Sequence, residues 1–244
     1  MDKQDLRERV WDELEETGET RFPFPPHGRI PNFAGAKEAT ERLAELPEWE
    51  TAAAIKANPD SPQRPVRRRA LEASKTVYMA VPRLAEEACF VELDPARIDD
   101  PERASTIGGA DELGVQVGPE DVAEIDLIVS GSVAVTAEGA RVGKGEGYSD
   151  LEYALLREFG LVDGDTSVVT TVHELQVVDE AVPIQAHDVP MDFVVTPERV
   201  VRVEVDREVP SGIDWSLLDD ERIEEMPVLR RLVQTSDRSP PDWQ

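Results

Sequence analysis

The chain is poor in the residues that build covalent cross-links and thiolate metal sites. It contains one cysteine, Cys89, and three histidines in 244 residues. A single cysteine excludes an intrachain disulfide and a metal site built from several thiolates. No apolar run reaches the roughly 18 residues of a membrane span, and the charged N-terminus lacks the apolar core of a signal peptide. These absences predict a cytoplasmic protein.

Basic residues are also scarce. Lysine and arginine total 26 against 52 acidic residues, which gives a net charge of −26, and only five of the basic residues are lysines. Such a charge repels nucleic acid and anionic membranes, so neither is expected as a partner. The acid excess and the scarcity of lysine together favour a halophilic protein, since molar salt screens charge repulsion beyond about 3 Å. An acidic protein without this adaptation is the alternative.

The pattern of apolar residues predicts an α/β protein. At 40% hydrophobic residues, the chain can bury the core of one substantial domain. Alternating strands and helices predict a three-layer sandwich with a mostly parallel central sheet, helices on both faces and a ligand site outside the carboxyl ends of the strands. Residues 94–118 are polar and rich in turn residues. We predict a domain over 1–205 and an acidic, partly irregular extension over 206–244. The predicted helices are 2–16, 36–46, 65–74 and 148–158, and the predicted strands are 51–56, 76–81, 125–129, 132–136, 167–171, 193–196 and an edge strand at 200–205.

A glycine-spaced loop, residues 143–147 (GKGEG), separates an apolar segment from the helix predicted at 148–158. Glycines permit positive φ and close approach of backbone amides, and successive N–H groups before a helix form an anion site. Lys144 and Arg141 add positive charge, which favours phosphate. The spacing is neither the Rossmann nor the Walker pattern. For the loop taken alone, a hairpin turn that binds nothing is the alternative.

The surroundings of this loop resemble the signature of 5-formyltetrahydrofolate cyclo-ligases, in which a strand and an apolar segment lead into G-x-R-[LI]-G-x-G-x-G-Y-Y-D-R. The likeness is close from Gly139 to Tyr148, and Asp150 keeps the aspartate. Ser149 and Leu151 stand where the family has Tyr and Arg. Three further segments resemble the family in the same order, so the resemblance covers residues 1 to about 200. They are residues 3–7 (KQDLR), 75–83 (KTVYMAVPR) and 173–196.

This resemblance implies a cyclo-ligase fold, similar to sugar-phosphate isomerases, and an ATP-dependent reaction. The reaction closes 5-formyltetrahydrofolate to 5,10-methenyltetrahydrofolate and releases ADP and phosphate. Transfer of the γ-phosphoryl group to the formyl oxygen activates it, the folate N10 attacks, and phosphate leaves. The protein must neutralise phosphate charge and align the reactants, and it needs no covalent nucleophile. The implied cofactors are ATP and Mg²⁺, the implied partner is a reduced folate, and the implied state is a monomer or homodimer.

Site roles are carried over at the matching positions. Lys144, Arg141 and Tyr148 are the implied catalytic residues, and Tyr148 also lines the folate ring. Asp150 and Asp192 are the implied Mg²⁺ ligands, with a helix N-terminal acid and a strand-end acid as the alternatives. We expect His173 and His187 to be structural. The implied ATP-binding residues are Lys3, Arg7, Arg141, Gly143, Lys144, Gly145, Glu146, Gly147 and Tyr148, and the implied folate-binding residues are Asn58, Asp60, Gln63 and Tyr148.

One segment departs from the family. Residues 56–65 (KANPDSPQRP) lack the E-x-x-T motif that contacts folate, which is typical of a divergent branch similar to the cyclo-ligase-like domain of larger eukaryotic proteins. Two other functions stay open. One is a non-catalytic, nucleotide-binding or regulatory member of the family, and the other is a different enzyme for phosphorylated ligands on a related scaffold. The basic run Arg67–Arg69 serves either a folate glutamate tail or a salt-bridged surface.

Overall fold

The structure is a computed structural model that describes residues 2–204 and 208–235. The helices are α1 (Lys3–Glu16), α2 (Ala36–Ala44), α3 (Pro47–Thr51), α4 (Arg64–Glu72), α5 (Pro101–Ala104), α6 (Ile107–Leu113), α7 (Tyr148–Glu158), α8 (Asp220–Glu225) and α9 (Pro227–Thr235). The strands are β1 (Thr20–Arg21), β2 (Asn32–Phe33), β3 (Ala54–Ala57), β4 (Thr76–Ala80), β5 (Phe90–Leu93), β6 (Val115–Val117), β7 (Leu127–Ser130), β8 (Ala134–Thr136), β9 (Arg141–Val142), β10 (Ser167–Thr171), β11 (Val177–Val178), β12 (Phe193–Val195) and β13 (Val200–Arg202).

The main sheet has the strand order β13-β12-β10-β7-β3-β4-β5-β6 within the described residues. The central strands from β12 to β4 are parallel, and β13, β5 and β6 are antiparallel to their neighbours. Every residue of β3 and β7 is buried, as expected of central strands that are covered on both faces. The predicted mostly parallel sheet is confirmed.

The helices that connect the parallel strands lie on both faces of this sheet. The chain passes from β3 through α4 to β4 in one direction along the sheet, and from β7 through α7 to β10 in the other. Because such crossovers are right-handed, α4 and α7 pack on opposite faces. The predicted three-layer fold is therefore confirmed. The direction reverses between β3 and β7, and in parallel sheets this point forms a ligand crevice.

A smaller sheet, in the order β11-β8-β9, carries the N-terminal helix. The buried face of α1 contains Leu6, Val10 and Leu14, as predicted, and packs with residues of β8 and β9 in a second hydrophobic cluster. Each such buried aliphatic side chain stabilises the fold by about 1.5–3 kcal/mol. Asp2 caps the helix by accepting the N–H groups of Gln4 and Asp5. This packing fixes the position of the first turns of α1.

Two regions are more ordered than their composition indicates. Residues 94–118 contain α5, α6 and the edge strand β6. With only three residues, β6 is too short for alternation of apolar and polar residues to identify it as a strand. In the extension, Met226, Val228 and Leu229 are buried in the main core and hold α8 and α9 against it. The predicted domain boundary at 205 and the end of the chain from residue 236 lie outside the described residues. Within the described ranges, no helix combines the length and apolar character that crossing a membrane requires.

Candidate functional site

A cavity of about 710 Å³ opens at the carboxyl edge of the main sheet. Its walls come from the first turns of α1, the segment after β3, the end of β4 and the loop that leads into α7. The backbone N–H of Asn58 donates to the carbonyl of Val129 (3.1 Å) and so joins the ends of β3 and β7 beneath the cavity. The site therefore lies at the point where the strand order reverses, as the fold predicts.

The glycine loop forms one wall, and its backbone is open to a ligand. Gly145 (φ 113°) and Gly147 (φ 71°) adopt left-handed conformations, and Gly147 is the N-cap of α7. A Cβ at Gly143 would lie 3.0 Å from Nη1 of Arg141, so glycine there leaves room for the guanidinium. In the described part of the chain, no protein acceptor receives the N–H groups of residues 144–147. Free donors before a helix are an arrangement that suits an anion, so the predicted phosphate role of the loop is compatible with its geometry.

Lys3 and Arg7 reach this loop from α1. Arg7 donates from Nε to the carbonyl of Gly143 (2.7 Å), and burial lowers the pKa of its guanidinium. Lys3 pairs with Asp188 at 2.7 Å, and Lys144 pairs with Glu146 at 2.8 Å on the exposed side of the loop. The structure thus brings Lys3, Arg7 and Lys144 to one cavity.

Arg141 and Asp150 are each other's partners. Nη2 of Arg141 donates to both carboxylate oxygens of Asp150 at 2.7 Å, and Nη1 donates to the carbonyl of Gly131 (3.2 Å). Burial raises the pKa of Asp150, but the charge and hydrogen bonds of Arg141, with the N–H of Val189, outweigh it and lower that pKa below its usual value. Both residues line the cavity, yet their polar atoms are largely used in holding the loop to α7.

The structure does not bring the second expected metal ligand to the site. Asp192 precedes β12 and therefore lies at the amino edge of the parallel sheet, opposite the cavity, because its strand runs parallel to β10. Its carboxylate accepts the N–H of Val168 (2.7 Å). In residues 2–204 and 208–235, no cluster of three or more His, Cys, Asp or Glu residues is arranged to hold a metal ion. The expectation that Asp150 and Asp192 share one magnesium site is therefore wrong, because Asp192 is a strand-end acid at the opposite edge, whereas Asp150 lines the cavity as the partner of Arg141.

A buried polar network forms the floor of the cavity. Lys56 is 1% exposed on β3 and forms an ion pair with Glu152 of α7. The ammonium of Lys56 also donates to Oδ1 of Asn58 (2.7 Å), and the side-chain Nδ2 of Asn58 donates to the hydroxyl of Ser149 (2.7 Å). Two departures from the family pattern, Asn58 and Ser149, are therefore hydrogen-bond partners. No site role was predicted for Lys56, although a lysine at the end of the apolar run TAAAIK and before Ala57 is a signal of a buried charge.

The expected folate residues separate into different environments. Asp60 lines the cavity, and burial raises its pKa although Lys144 opposes the shift. Gln63 is fully buried and donates to Thr171 (3.3 Å), so it lies behind the cavity wall. The expectation that Gln63 contacts substrate is not supported, because the turn before α4 directs its side chain into the protein interior. Leu151, where the family has Arg, is buried in the core.

The basic run on α4 does not face the cavity. Arg67 is 1% exposed and donates to the carbonyls of Asn58, Asp60 and Ser105, and burial lowers its pKa to about 10. It stabilises the loop after β3. Arg68 and Arg69 form exposed ion pairs with Glu72, Glu102 and Glu41. The salt-bridged alternative therefore describes Arg68 and Arg69, whereas Arg67 is a buried structural residue that fits neither alternative.

Two cavity arginines were not predicted from the sequence. Within the described ranges, neither Arg29 nor Arg83 has a carboxylate partner, although acidic residues are twice as frequent as basic ones. Nε of Arg29 is buried without a hydrogen bond. Arg83 follows Pro82 with a φ of 58°, an uncommon conformation for a residue other than glycine. Arg83 ends the family-like segment 75–83 but was assigned no site role there, and no family-like segment contains Arg29. His173 caps a short turn, as a structural histidine would, whereas His187 lines the cavity.

The fold is that of an α/β protein whose glycine loop and cavity lie at the switch point of a mostly parallel sheet. The chain belongs to the 5-formyltetrahydrofolate cyclo-ligase family, whose model matches residues 1–197. The family predicted from the sequence is confirmed.

Relatives extend the match beyond the family model. A methenyltetrahydrofolate synthase domain-containing protein of Bos taurus is 41% identical over 247 residues, which cover 99% of this chain and 64% of that protein. The corresponding protein of Mus musculus is 43% identical over 237 residues, with coverage of 95% and 63%. The chain therefore spans less than two-thirds of the length of these relatives.

A solved structure supports the fold. The NMR structure of Aquifex aeolicus 5,10-methenyltetrahydrofolate synthetase is 24% identical, with a TM-score of 0.52, and the likeness covers 86% of this chain and 96% of that one. At this identity the likeness concerns the fold alone.

Proposed function

We propose that the cavity binds the phosphates of ATP at the glycine loop and a reduced folate beside it, and that the protein cyclises 5-formyltetrahydrofolate to 5,10-methenyltetrahydrofolate with release of ADP and phosphate. The observation that carries the proposal is the set of free N–H groups at 144–147. They lie beside Lys3, Arg7 and Lys144 in a member of the cyclo-ligase family. Three cations facing unsatisfied amides suit a polyphosphate better than a neutral ligand.

The residues divide the work of such a reaction between charge and position. The loop amides and Lys144 would stabilise negative charge that develops on the phosphates, which is the main contribution a protein makes to phosphoryl transfer. Tyr148, Asn58 and Asp60 line the adjoining part of the cavity and would contact the folate. The Arg141–Asp150 pair would hold the loop in this arrangement. The proposal also includes a cytoplasmic location and a monomeric or homodimeric state.

Magnesium would enter with the nucleotide, since Mg²⁺ is commonly held by phosphate oxygens, water and one or two carboxylates. Bound there, it would neutralise phosphate charge. Both oxygens of Asp150 accept hydrogen bonds from Arg141. Asp60, by contrast, is a cavity carboxyl with no ion-pair partner in the described part of the chain. Asp60 therefore fits the metal role better than Asp150.

A second function, nucleotide binding without turnover, is favoured by one observation. The Asn58–Ser149 hydrogen bond occupies the floor of the cavity and joins two positions that depart from the family motif. A site that keeps the phosphate loop but has a changed floor suits a binding or regulatory member.

The discriminating experiment mixes protein, Mg-ATP and 5-formyltetrahydrofolate in molar KCl and follows methenyl absorbance and ADP. The proposed enzyme forms both products, and the binding module binds ATP without forming either. Absence of product at every salt concentration removes the enzyme proposal. In the same assay, Lys144→Ala should weaken the use of ATP by about 1–3 kcal/mol, as for loss of a charged hydrogen-bond partner. An unchanged dependence on ATP would show that the loop is not the phosphate site.

A further inference from the structure

Arg222 of α8 reaches back across the chain to the glycine loop. Its Nη2 donates to the carbonyl of Glu146 (2.7 Å), and its guanidinium lies over the ring of Tyr148, 5.2 Å from the ring centre. The same Nη2 would lie 3.8 Å from a Cβ at Gly147. Arg222 therefore contacts Glu146 at the end of the loop and Tyr148 at the start of α7, on either side of Gly147. It is not among the residues that line the cavity.

The contact sets the direction of a loop amide. Glu146 C=O and Gly147 N–H belong to one planar trans peptide, so they point to opposite sides. Since the carbonyl points at Arg222, the N–H of Gly147 points away from Arg222, and we infer that it faces the cavity, which Gly147 lines and Arg222 does not. Arg7 holds the other end of the loop through the carbonyl of Gly143. Two arginines from opposite ends of the chain thus hold the two ends of one loop.

The segment that carries Arg222 lies beyond the part of the chain that the family model matches, which ends at residue 197. Met226, Val228 and Leu229 bury this segment in the main core immediately after α8. The matches to the Bos taurus and Mus musculus proteins cover 99% and 95% of this chain. The extension is therefore anchored firmly enough to hold a side chain against the loop.

We propose that Arg222 is a positioning residue of the phosphate site, through which the C-terminal extension holds the glycine loop with its amides directed at the ligand. The proposal rests on the proposed function only in assigning the loop to phosphates. It predicts that Arg222 affects the affinity for phosphates and leaves the affinity for an uncharged nucleoside unchanged.

The test compares Arg222→Met with Arg222→Lys and with Arg230→Met, a control in the same extension that pairs with Glu224 and has no hydrogen bond or ion pair to the described loop residues. Met keeps an apolar stem over Tyr148 and removes the donors, whereas Lys restores a charge and one donor. Binding of ATP, adenosine and inorganic tripolyphosphate is measured by calorimetry on the full chain, with the melting temperature of each variant. We expect Arg222→Met to weaken ATP and tripolyphosphate about tenfold and adenosine by less than twofold, with partial recovery in Arg222→Lys and none of these changes in Arg230→Met.

The outcomes separate this proposal from the proposed function. Binding of ATP by Arg222→Met that equals the parent protein overturns it, as does an equal loss for adenosine and ATP, which would show a general structural role. A parent protein that binds neither ATP nor tripolyphosphate also overturns it. Phosphate-specific loss in a protein that never forms the methenyl product supports the role of Arg222 and removes only the cyclo-ligase reaction. If Arg222→Met does not fold, the ratio of tripolyphosphate to adenosine affinity in Arg222→Lys decides, and an unchanged ratio overturns the proposal.

Discussion

The floor and the rim of the cavity use charge in opposite ways. On the floor, Lys56 is paired with Glu152 and Arg141 with Asp150, and all four are largely buried. The rim consists of three cavity cations, Arg29, Arg83 and Lys144. Arg29 and Arg83 have no carboxylate partner among the described residues, and the ion pair of Lys144 with Glu146 is exposed. The loop amides between floor and rim are also without protein acceptors there.

This difference separates cations that hold the structure from cations that suit a ligand. A buried charge needs its partner, because leaving it unpaired costs far more than an exposed pair contributes. Arg29 and Arg83 line the cavity, and no hydrogen bond or ion pair joins either side chain to the other described residues, an arrangement that suits an external anion. Floor variants should therefore lose stability, and rim variants should lose affinity.

The largest effect is expected on the floor. Glu152→Ala leaves the Lys56 ammonium buried without its partner, so the free energy of unfolding should fall by about 3–5 kcal/mol. Urea unfolding followed by circular dichroism measures this change. Glu146→Ala removes the exposed partner of Lys144 and is the control, with an expected change of about 1 kcal/mol or less. Equal losses in the two variants would abolish the distinction between floor and rim.

The next effect concerns the rim. Arg29→Met should weaken binding of ATP by about 1.5–3 kcal/mol, the range for a hydrogen bond to a charged group, and leave the melting temperature unchanged. Calorimetric titration and a thermal melt give both quantities. Arg69→Met, which removes an exposed ion pair with Glu41, should change neither. A lower melting temperature with unchanged affinity would place Arg29 among the structural cations.

A smaller effect should appear in the dependence of stability on pH. The pKa of Asp150 is lowered in the folded protein, so its stabilisation is present above the ordinary value of 3.8 and is lost as pH falls through the folded value. The pKa of Asp60 is raised, so folding gains stability as pH falls through that folded value toward 3.8. Asp150→Asn should therefore make unfolding less sensitive to acid, and Asp60→Asn more sensitive. Urea midpoints from pH 7 to pH 3 measure both, and a shift of the same sign in the two variants contradicts the assignment.

The smallest expected effect is that of salt on the melting temperature, because it acts on charges throughout the chain. Between 0.1 M and 1 M KCl the screening length falls from about 10 Å to about 3 Å. Repulsion within this acidic chain should weaken, and the melting temperature should rise, as the halophilic interpretation expects. Attraction between exposed rim cations and phosphate should weaken over the same range, whereas the buried floor pairs should not respond. A melting temperature that is insensitive to KCl would remove the halophilic interpretation.

Local pattern alone determined much of this protein. The helix at 148–158 and the strand at 167–171 have the bounds predicted from apolar spacing, and the face of α1 is the one predicted. The glycine loop was identified as well, because positive φ and amide spacing are properties of a few consecutive residues. An ordered set of motifs was also sufficient to establish the family.

Only the tertiary structure decided which polar and charged residues face the cavity. Asp192 lies just before the strand predicted at 193–196, and Gln63 lies just before the helix predicted at 65–74. Both side chains lie away from the cavity, because packing sets the direction of a strand and the turn before a helix. The Lys56–Glu152 pair joins residues 96 positions apart, and Arg222 reaches Glu146 across 76. No sequence pattern marks contacts at such separations, since they arise when the core brings distant elements together. The sequence by itself therefore determined the central helices and strands and the glycine loop, and the packing of those elements decided which side chains lie beside that loop.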